Sequence, residues 1–366
     1  MSSRTLVVAA MITAAAVQGT TIERPAPERV TLGDGVYLFK TAPYGGVGLD
    51  GNAVAITSND GVLVFDSNGT PSAAAAVLAE IRKVSPAPVR YVVNSHWHWD
   101  HWYGTEVYQR AFPDVRVIAH EKTRRLMMGP ALEFNRPGLE SQLPGYIKTL
   151  EADLAKAEAA TPAPENLPRL RQALADARFF LAQKNAVRHA FPDVTFTDRL
   201  TIHFGNREIQ LLNFGRAVTP GDTLLYLPAE KILLTGDLIV NPITFALSGY
   251  PTEWLAALEK IDALDARTIV TGHGDPLTDE TLLHATVEVF RVLLAQGKIM
   301  KAKGLDPDQA RDAIMPMLAQ PMKTITGGVA ARENAFRIQL VDWYLHRVYE
   351  ELDGPLSDAI AALPAK

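Results

Sequence analysis

The run Asn94-Ser95-His96-Trp97-His98-Trp99-Asp100-His101 constrains this chain more than any other stretch. It places three imidazoles and one carboxylate within six positions, directly after the apolar run Val89-Arg90-Tyr91-Val92-Val93. Such a segment cannot enter a core unless its polar atoms find partners. It therefore reads as a loop at a strand end, closing near Gly104. Imidazole and carboxylate are the ligands that divalent zinc, iron or manganese accept when no thiolate is offered. The chain has no cysteine, so disulfides, thiolate ligands and a cysteine nucleophile are excluded. Alternate residues of an extended segment face the same way, so His96 and His98 can grip one cation. Asp100 and His101, beyond a turn, can face a second.

The flanking pattern says what holds this loop. Gly35 to Phe39, Ala53 to Ile56, Val62 to Phe65, Val89 to Val93 and Val115 to Ala119 read as short strands, with Asn59-Asp60-Gly61 as a turn. Between them Val77, Ile81 and Val84 share one face of a helix over Ser72–Val84. From about 121 to 190 the period changes: Ile147, Leu150 and Leu154, then Leu167, Leu170, Leu174 and Leu181, recur at helical spacing. Thr161-Pro162-Ala163-Pro164 separates them, which predicts an inserted helical hairpin. Strands resume at Val194–Phe196, Leu200–Phe204, Glu208–Asn213, Thr223–Leu227 and Ile232–Leu234, with a last one at Thr268–Thr271. After Thr278 the chain reads as helical, with Asp279 as N-cap of a first helix and a final helix over Arg332–Leu352. Two β-rich halves, each followed by helices, predict an α+β four-layer αββα sandwich with a helical insertion and a helical C-terminal extension. The expected divisions are 1–19, 29–278 and 279–366.

These residues resemble the metallo-β-lactamase superfamily, whose signature is HxHxDH, over about Arg29 to Pro276. Val64-Phe65-Asp66 is similar to the family motif in which an aspartate ends a strand and braces the metal loop. Leu234-Thr235-Gly236-Asp237 is similar to the motif whose aspartate bridges two metals, and Thr271-Gly272-His273-Gly274 to the last, whose histidine binds the second metal. The resemblance implies a first site from His96 and His98, a second from Asp100, His101 and His273, and Asp237 between them. Asp66 would sit behind the ligands. The implied cofactor is zinc, as one or two ions, with manganese or iron as alternatives. Two such metals about 3.5–4 Å apart lower a bound water's pKa toward about 7. Asp100 would orient that nucleophile.

One motif departs from the family. Phe214-Gly215-Arg216-Ala217-Val218-Thr219-Pro220-Gly221-Asp222-Thr223 is similar to GxxHTPGDT, but Val218 stands where the histidine belongs. Valine cannot bind a metal, so the first site is expected to be short of a ligand. His120, His189 and His203 are the candidates to replace it; His284 and His346 fall on helices and read as structural. The gap disfavours the iron sulfur-dioxygenases of this fold. The missing cysteine excludes the thiolate-using β-lactamases. Asp237 points instead toward glyoxalase-II-like and lactonase-like hydrolases. Trp97, Trp99, Trp102 and Tyr103 are expected to divide between lining a pocket and packing beneath the loop. Arg216 is either an anion contact or half of an ion pair.

Arg4 followed by the apolar, alanine-rich Leu6–Val17 reads as an export signal over residues 1–19, which predicts a periplasmic or secreted protein. The run is too short to span a bilayer, and no stable membrane insertion is expected. A formal charge of -5, without a basic block, argues against a nucleic-acid partner. The expected partner is a small-molecule substrate, with a homodimer left open. The function that follows is an exported metal-dependent hydrolase using a metal-bound hydroxide on an ester, lactone, thioester or amide, with a β-lactam less favoured. The competing reading, which rests on Val218, is a catalytically impaired metal-binding protein of the same fold.

Overall fold

Alternation along the strands sorts the side chains of this protein into separate apolar layers. In the computed structural model, which describes residues 24–360, seven strands form one sheet in the order β1 (Glu28–Gly33), β2 (Val36–Lys40), β3 (Ala53–Ser58), β4 (Gly61–Phe65), β5 (Val89–Val93), β6 (Arg116–His120) and β7 (Val194–Phe196). Five more, β8 (Arg199–Phe204), β9 (Arg207–Leu212), β10 (Leu224–Leu227), β11 (Ile232–Leu234) and β12 (Thr268–Val270), form a second sheet in the order β12-β11-β10-β9-β8. Leu63 and Phe65 point between the sheets, where they meet Leu211, Leu225, Leu234 and Val270. Their neighbours Val62 and Val64 point outward, onto helix α1 (Pro71–Val84). Period two thus turns one strand toward two cores. On the far side, Leu212, Leu224, Leu233 and Ile269 face a third core. The result is the expected αββα sandwich.

α1 begins where Thr70 caps it, its hydroxyl accepting from Ala73 N at 3.2 Å, with Pro71 in the first turn. Two short helices, α2 (Trp99–Trp102) and α3 (Thr105–Ala111), follow β5. Between β6 and β7 lie α4 (Glu121–Met127), α5 (Pro130–Pro137), α6 (Leu143–Ala159) and α7 (Leu167–Asn185). α6 and α7 make the predicted hairpin, closed by Ile147, Leu150, Leu174 and Ala177. The second sheet is covered by α8 (Pro251–Asp262), α9 (Thr281–Ala302), α10 (Pro307–Ile314), α11 (Ala319–Thr326), α12 (Ala330–Ala335) and α13 (Trp343–Asp353). α8 lies between β11 and β12; α9 to α13 form the helical C-terminal extension.

Three local expectations need correction. β1 escaped the sequence reading because it is an edge strand with no buried residue, so no alternation marks it. α9 starts two residues after Asp279, with Glu280 at the cap position; the Asp279 carboxylate still accepts from Thr281 N at 2.9 Å. The final helix is interrupted by wider turns over Phe336–Asp342, so α12 and α13 are separate elements. The segment read as an export signal lies outside the described residues. Among those described, no helix is long and apolar enough to cross a membrane.

Candidate metal centre

The parallel strand pairs decide where the site forms. β4 lies parallel to β5, with Phe65 beside Val93, and β11 lies parallel to β12, with Leu234 beside Val270. Each pair therefore ends on the same side. Asp66 and the histidine run leave the first pair; Asp237 and His273 leave the second. Asn52 stitches the two sheets there. Its backbone N–H donates to Gly272 O at 2.7 Å, and its side-chain amide to Thr271 O and Gly274 O, each at 2.9 Å. Two glycines are demanded by closeness. A Cβ on Gly51 would lie 2.4 Å from the His101 ring, and one on Gly272 would lie 1.9 Å from Asp237 Oδ1.

Asp66 organises the first half of the loop. It is buried and sits at φ 59°, a left-handed conformation that aspartate tolerates better than most residues. Its carboxylate accepts from Ser95 N, Ser95 Oγ and His101 Nδ1, each at 2.7 Å. Since the Ser95 hydroxyl donates to Asp66, it accepts from His96 Nδ1 at 2.8 Å. One carboxylate thereby fixes the Nδ1 side of two imidazoles and turns both Nε2 atoms toward the site. Partners of this kind typically carry 10–100-fold in metal affinity. Asp66→Ala should accordingly lower metal affinity by about 10–100-fold and lower the melting temperature, because buried donors lose their acceptor. Chelator competition and thermal denaturation measure both; wild-type affinity in the variant would mean that Asp66 does not orient the ligands.

Asp237 divides its two oxygens between two sets of nitrogens. Oδ2 lies 3.5 Å from His96 Nε2 and 3.8 Å from His98 Nδ1. Oδ1 lies 3.2 Å from His101 Nε2 and 3.6 Å from His273 Nε2. Asp100 Oδ2 completes the second set, 3.0 Å from His273 Nε2 and 3.4 Å from His101 Nε2. Tetrahedral zinc with bonds near 2.0–2.1 Å spaces its ligand atoms about 3.3 Å apart. The donors are spaced as a cation requires. Among the described residues, His96, His101 and Asp237 converge as one group, and Asp100, His101 and His273 as another. His96 Nε2, His101 Nε2 and Asp237 Oδ1 are buried without a hydrogen-bond partner. Orphaned buried atoms of this sort are costly unless something binds them.

Charge points the same way. Burial, with His101 and His98 close by, pushes His96 down to about 3, which leaves it a neutral imidazole. Burial works against charge on His101 as well, but Asp237, Asp100 and Asp66 outweigh it and hold this imidazolium well above the usual histidine range. Burial would likewise raise Asp100 and Asp237, yet His101 and His273 keep both carboxylates well below theirs. Buried carboxylates that draw protons onto imidazole create the field that favours a divalent cation.

The proposed substitutes for Val218 do not approach this group. His120 Nδ1 accepts from Lys122 N at 3.1 Å, and its ring packs on Phe196. His189 packs tilted against Trp102 and edge-on to Tyr103. His203 lies exposed on β8. Val218 itself is buried in the apolar cluster with Leu238, Ile239 and Trp254. Its turn is held by the Asp222 carboxylate, which accepts from Ala217 N, Thr219 N and Thr219 Oγ1. Thr223 N donates to Ser95 O at 2.8 Å, which places the turn against the metal loop. Arg216 is half of an ion pair, engaging Glu253 and Asp358. His284 lies on α9 among exposed carboxylates, and His346 on α13.

The site opens into a cavity of about 690 Å³. Asp100, His98, Asp237 and His273 lie at its floor, and its walls include Leu49, Phe134, Val240, Ile243, Phe245 and Leu247. Sequence reasoning missed these walls: Phe134 lies on the short helix α5, and the others lie in loops, which carry no period. Of the aromatic group, Trp97 and Trp99 line the cavity, whereas Trp102 and Tyr103 are buried beneath, against His189.

The family profile of the metallo-beta-lactamase superfamily matches residues 46–273. A linear primary-alkylsulfatase from Pseudomonas sp. is 25% identical over 269 residues, covering 69% of this chain and 48% of the relative. The chain thus spans about half the length of that relative. Among solved structures, a metallo-beta-lactamase from Pontibacter korlensis matches with a TM-score of 0.51 at 19% identity, over 72% of this chain and 99% of its own. The DIM-1 metallo-beta-lactamase matches with a TM-score of 0.50 at 15% identity, over 74% and 99%. At these identities the structural likeness speaks for the fold alone.

Proposed function

Because the chain belongs to the metallo-β-lactamase superfamily, we propose that it is a metal-dependent hydrolase of esters that carry an apolar group, with an alkyl sulfate ester as the leading substrate. The observation that carries this is the Asp237 carboxylate, divided between two sets of imidazoles at the floor of an apolar cavity. The similarity to a linear primary-alkylsulfatase supports the choice of ester. His96, His98 and Asp237 would hold one cation; Asp100, His101, His273 and Asp237 the other. A divalent cation there supplies Lewis acidity and acidifies water at neutral pH. The chain's own residues do the rest. Leu49, Ile243, Phe245 and Leu247 take the apolar part of the substrate and shed water from it. Asp100, whose Oδ2 faces His273, orients the attacking water and accepts its hydrogen bond.

The test is a panel of a medium-chain alkyl sulfate, a carboxylic ester, a lactone, a thioester, an amide and a β-lactam, each with and without added zinc or manganese. The expected result is metal-dependent release of inorganic sulfate from the alkyl sulfate, exceeding turnover of the other classes. Turnover of another class instead would move the substrate while keeping the hydrolase. Metal binding with no turnover of any class would favour the second reading, a catalytically impaired binding protein, which the Val218 gap supports.

A further inference from the structure

Trp99 is a partition with little behind it. It starts α2, one residue before Asp100, and lines both the 690 Å³ cavity and a second one of about 400 Å³ on the side of the helical insertion. With space on two sides, the ring is held by close packing over only part of its surface, where it meets the cluster of Trp97, Trp102 and Tyr103. It rests on Gly69, where a Cβ would lie 2.3 Å from the ring, and meets Phe180 edge-on with centroids 5.6 Å apart. It also lies against Tyr103, with centroids 6.5 Å apart, and against Lys184 near the end of α7. Its Nζ lies 3.5 Å from the centroid of the Trp99 ring, 4.2 Å from that of Tyr103 and 5.7 Å from that of Phe180. Lys184 is 6% exposed, and its Nζ has no hydrogen-bond partner. A buried lysine without a partner is costly. Burial pushes the Lys184 ammonium well below its usual range, while Asp100 and Asp50 pull the other way, and the aromatic faces offset part of the cost of keeping it charged.

We propose that Lys184 is a positioning residue, which latches the helical insertion to the metal loop by fixing Trp99 and, through it, Asp100. Adjacent contacts make the latch local. Gln183 Oε1 accepts from Ser72 N at 3.1 Å, and Phe180 fits against Gly48, where a Cβ would lie 2.7 Å from its ring. On the loop side, Gly51 N donates to Asp100 O at 3.1 Å, and Tyr103 N to Trp99 O at 3.2 Å. Trp99 and Asp100 are adjacent in a helix only four residues long, so a change in where the Trp99 ring seats reaches Asp100 through a single peptide unit. The insertion thus belongs to the metal centre and does more than roof it. This inference rests on the reading of Asp100 as a metal ligand.

The test compares wild type with Lys184→Met, which keeps the length and loses the charge, and Lys184→Arg, which keeps a cation that the 400 Å³ cavity has room for. The protein is labelled with 5-fluorotryptophan, and the Trp99 resonance is assigned with Trp99→Phe. In metal-free Lys184→Met the Trp99 resonance should shift or broaden. Zinc affinity, read by chelator competition, should fall about tenfold, the scale of losing a partner behind the ligands. Lys184→Arg should restore both, and Lys184→Met should have no further effect in the Trp99→Phe background. An unchanged Trp99 resonance in folded Lys184→Met overturns the latch, as does a melting-temperature loss with unchanged zinc affinity. If instead the wild type binds no zinc, while the resonance still moves, the latch stands and the metal reading fails.

Discussion

Asp237→Ala will empty both halves of the centre at once. Each Asp237 oxygen serves a different pair of imidazoles, so the substitution removes one ligand from each. It also removes the charge that does most to keep His101 protonated in the absence of metal. Partners behind ligands carry about 10–100-fold in affinity, and a shared ligand must carry more. The expected outcome is loss of both ions on gel filtration, with turnover at the uncatalysed baseline. Asp237→Asn keeps an oxygen but not the charge, and should bind metal weakly. Metal analysis by plasma mass spectrometry decides the matter: a full complement of ions in Asp237→Ala would exclude the bridging role.

Val218→His will convert a lopsided centre into a balanced one. The half built on His96, His98 and one Asp237 oxygen has its outermost donor, His98 Nδ1, 3.8 Å from that oxygen. The other half has Asp100, His101 and His273 with shorter spacings. Wild type should hold one ion tightly and the second weakly. In the variant the second ion should tighten by at least about tenfold, and turnover should rise with it. Without metal the new imidazole sits in the apolar cluster of Leu238, Ile239 and Trp254, and unpaired burial costs about 1–3 kcal/mol. The metal-free variant should therefore melt below wild type, and the metal-loaded one should recover. Two equally tight ions in wild type, or no change in stoichiometry in the variant, would refute this reading.

Much of this arrangement was legible because strand period and loop chemistry are both local. Val62 to Phe65 announces a strand with two apolar faces, and the change to helical spacing after Glu121 announces the insertion. The same locality explains what was hidden. β1 shows no alternation because neither of its faces is buried. The wider turns at Phe336–Asp342 contain no breaking residue, and the segment buries Phe336, Leu340 and Val341 in the third core. Ser95 was quoted in the motif, but its relay from Asp66 to His96 exists only because β4 and β5 run side by side. Lys184 looked like any solvated helical lysine; Phe180, four residues before it, is a local neighbour, but nothing nearby in sequence shows that the rings of Trp99 and Tyr103 also surround it. The motifs speak only for the chemistry at the floor, and the apolar cavity walls lie largely outside them.

The stitch made by Asn52 places the centre on the seam between the sheets. His96, His98, Asp100 and His101 follow a strand of one sheet, and Asp237 and His273 follow strands of the other. A cation that needs all of them binds only chains whose two sheets have already docked. Free metal concentration then becomes a folding variable: an ion present at 100 times its dissociation constant adds about 2.7 kcal/mol to the docked state by mass action alone. For this protein, metal scarcity would act first on the population of assembled molecules and only afterwards on their rate of turnover.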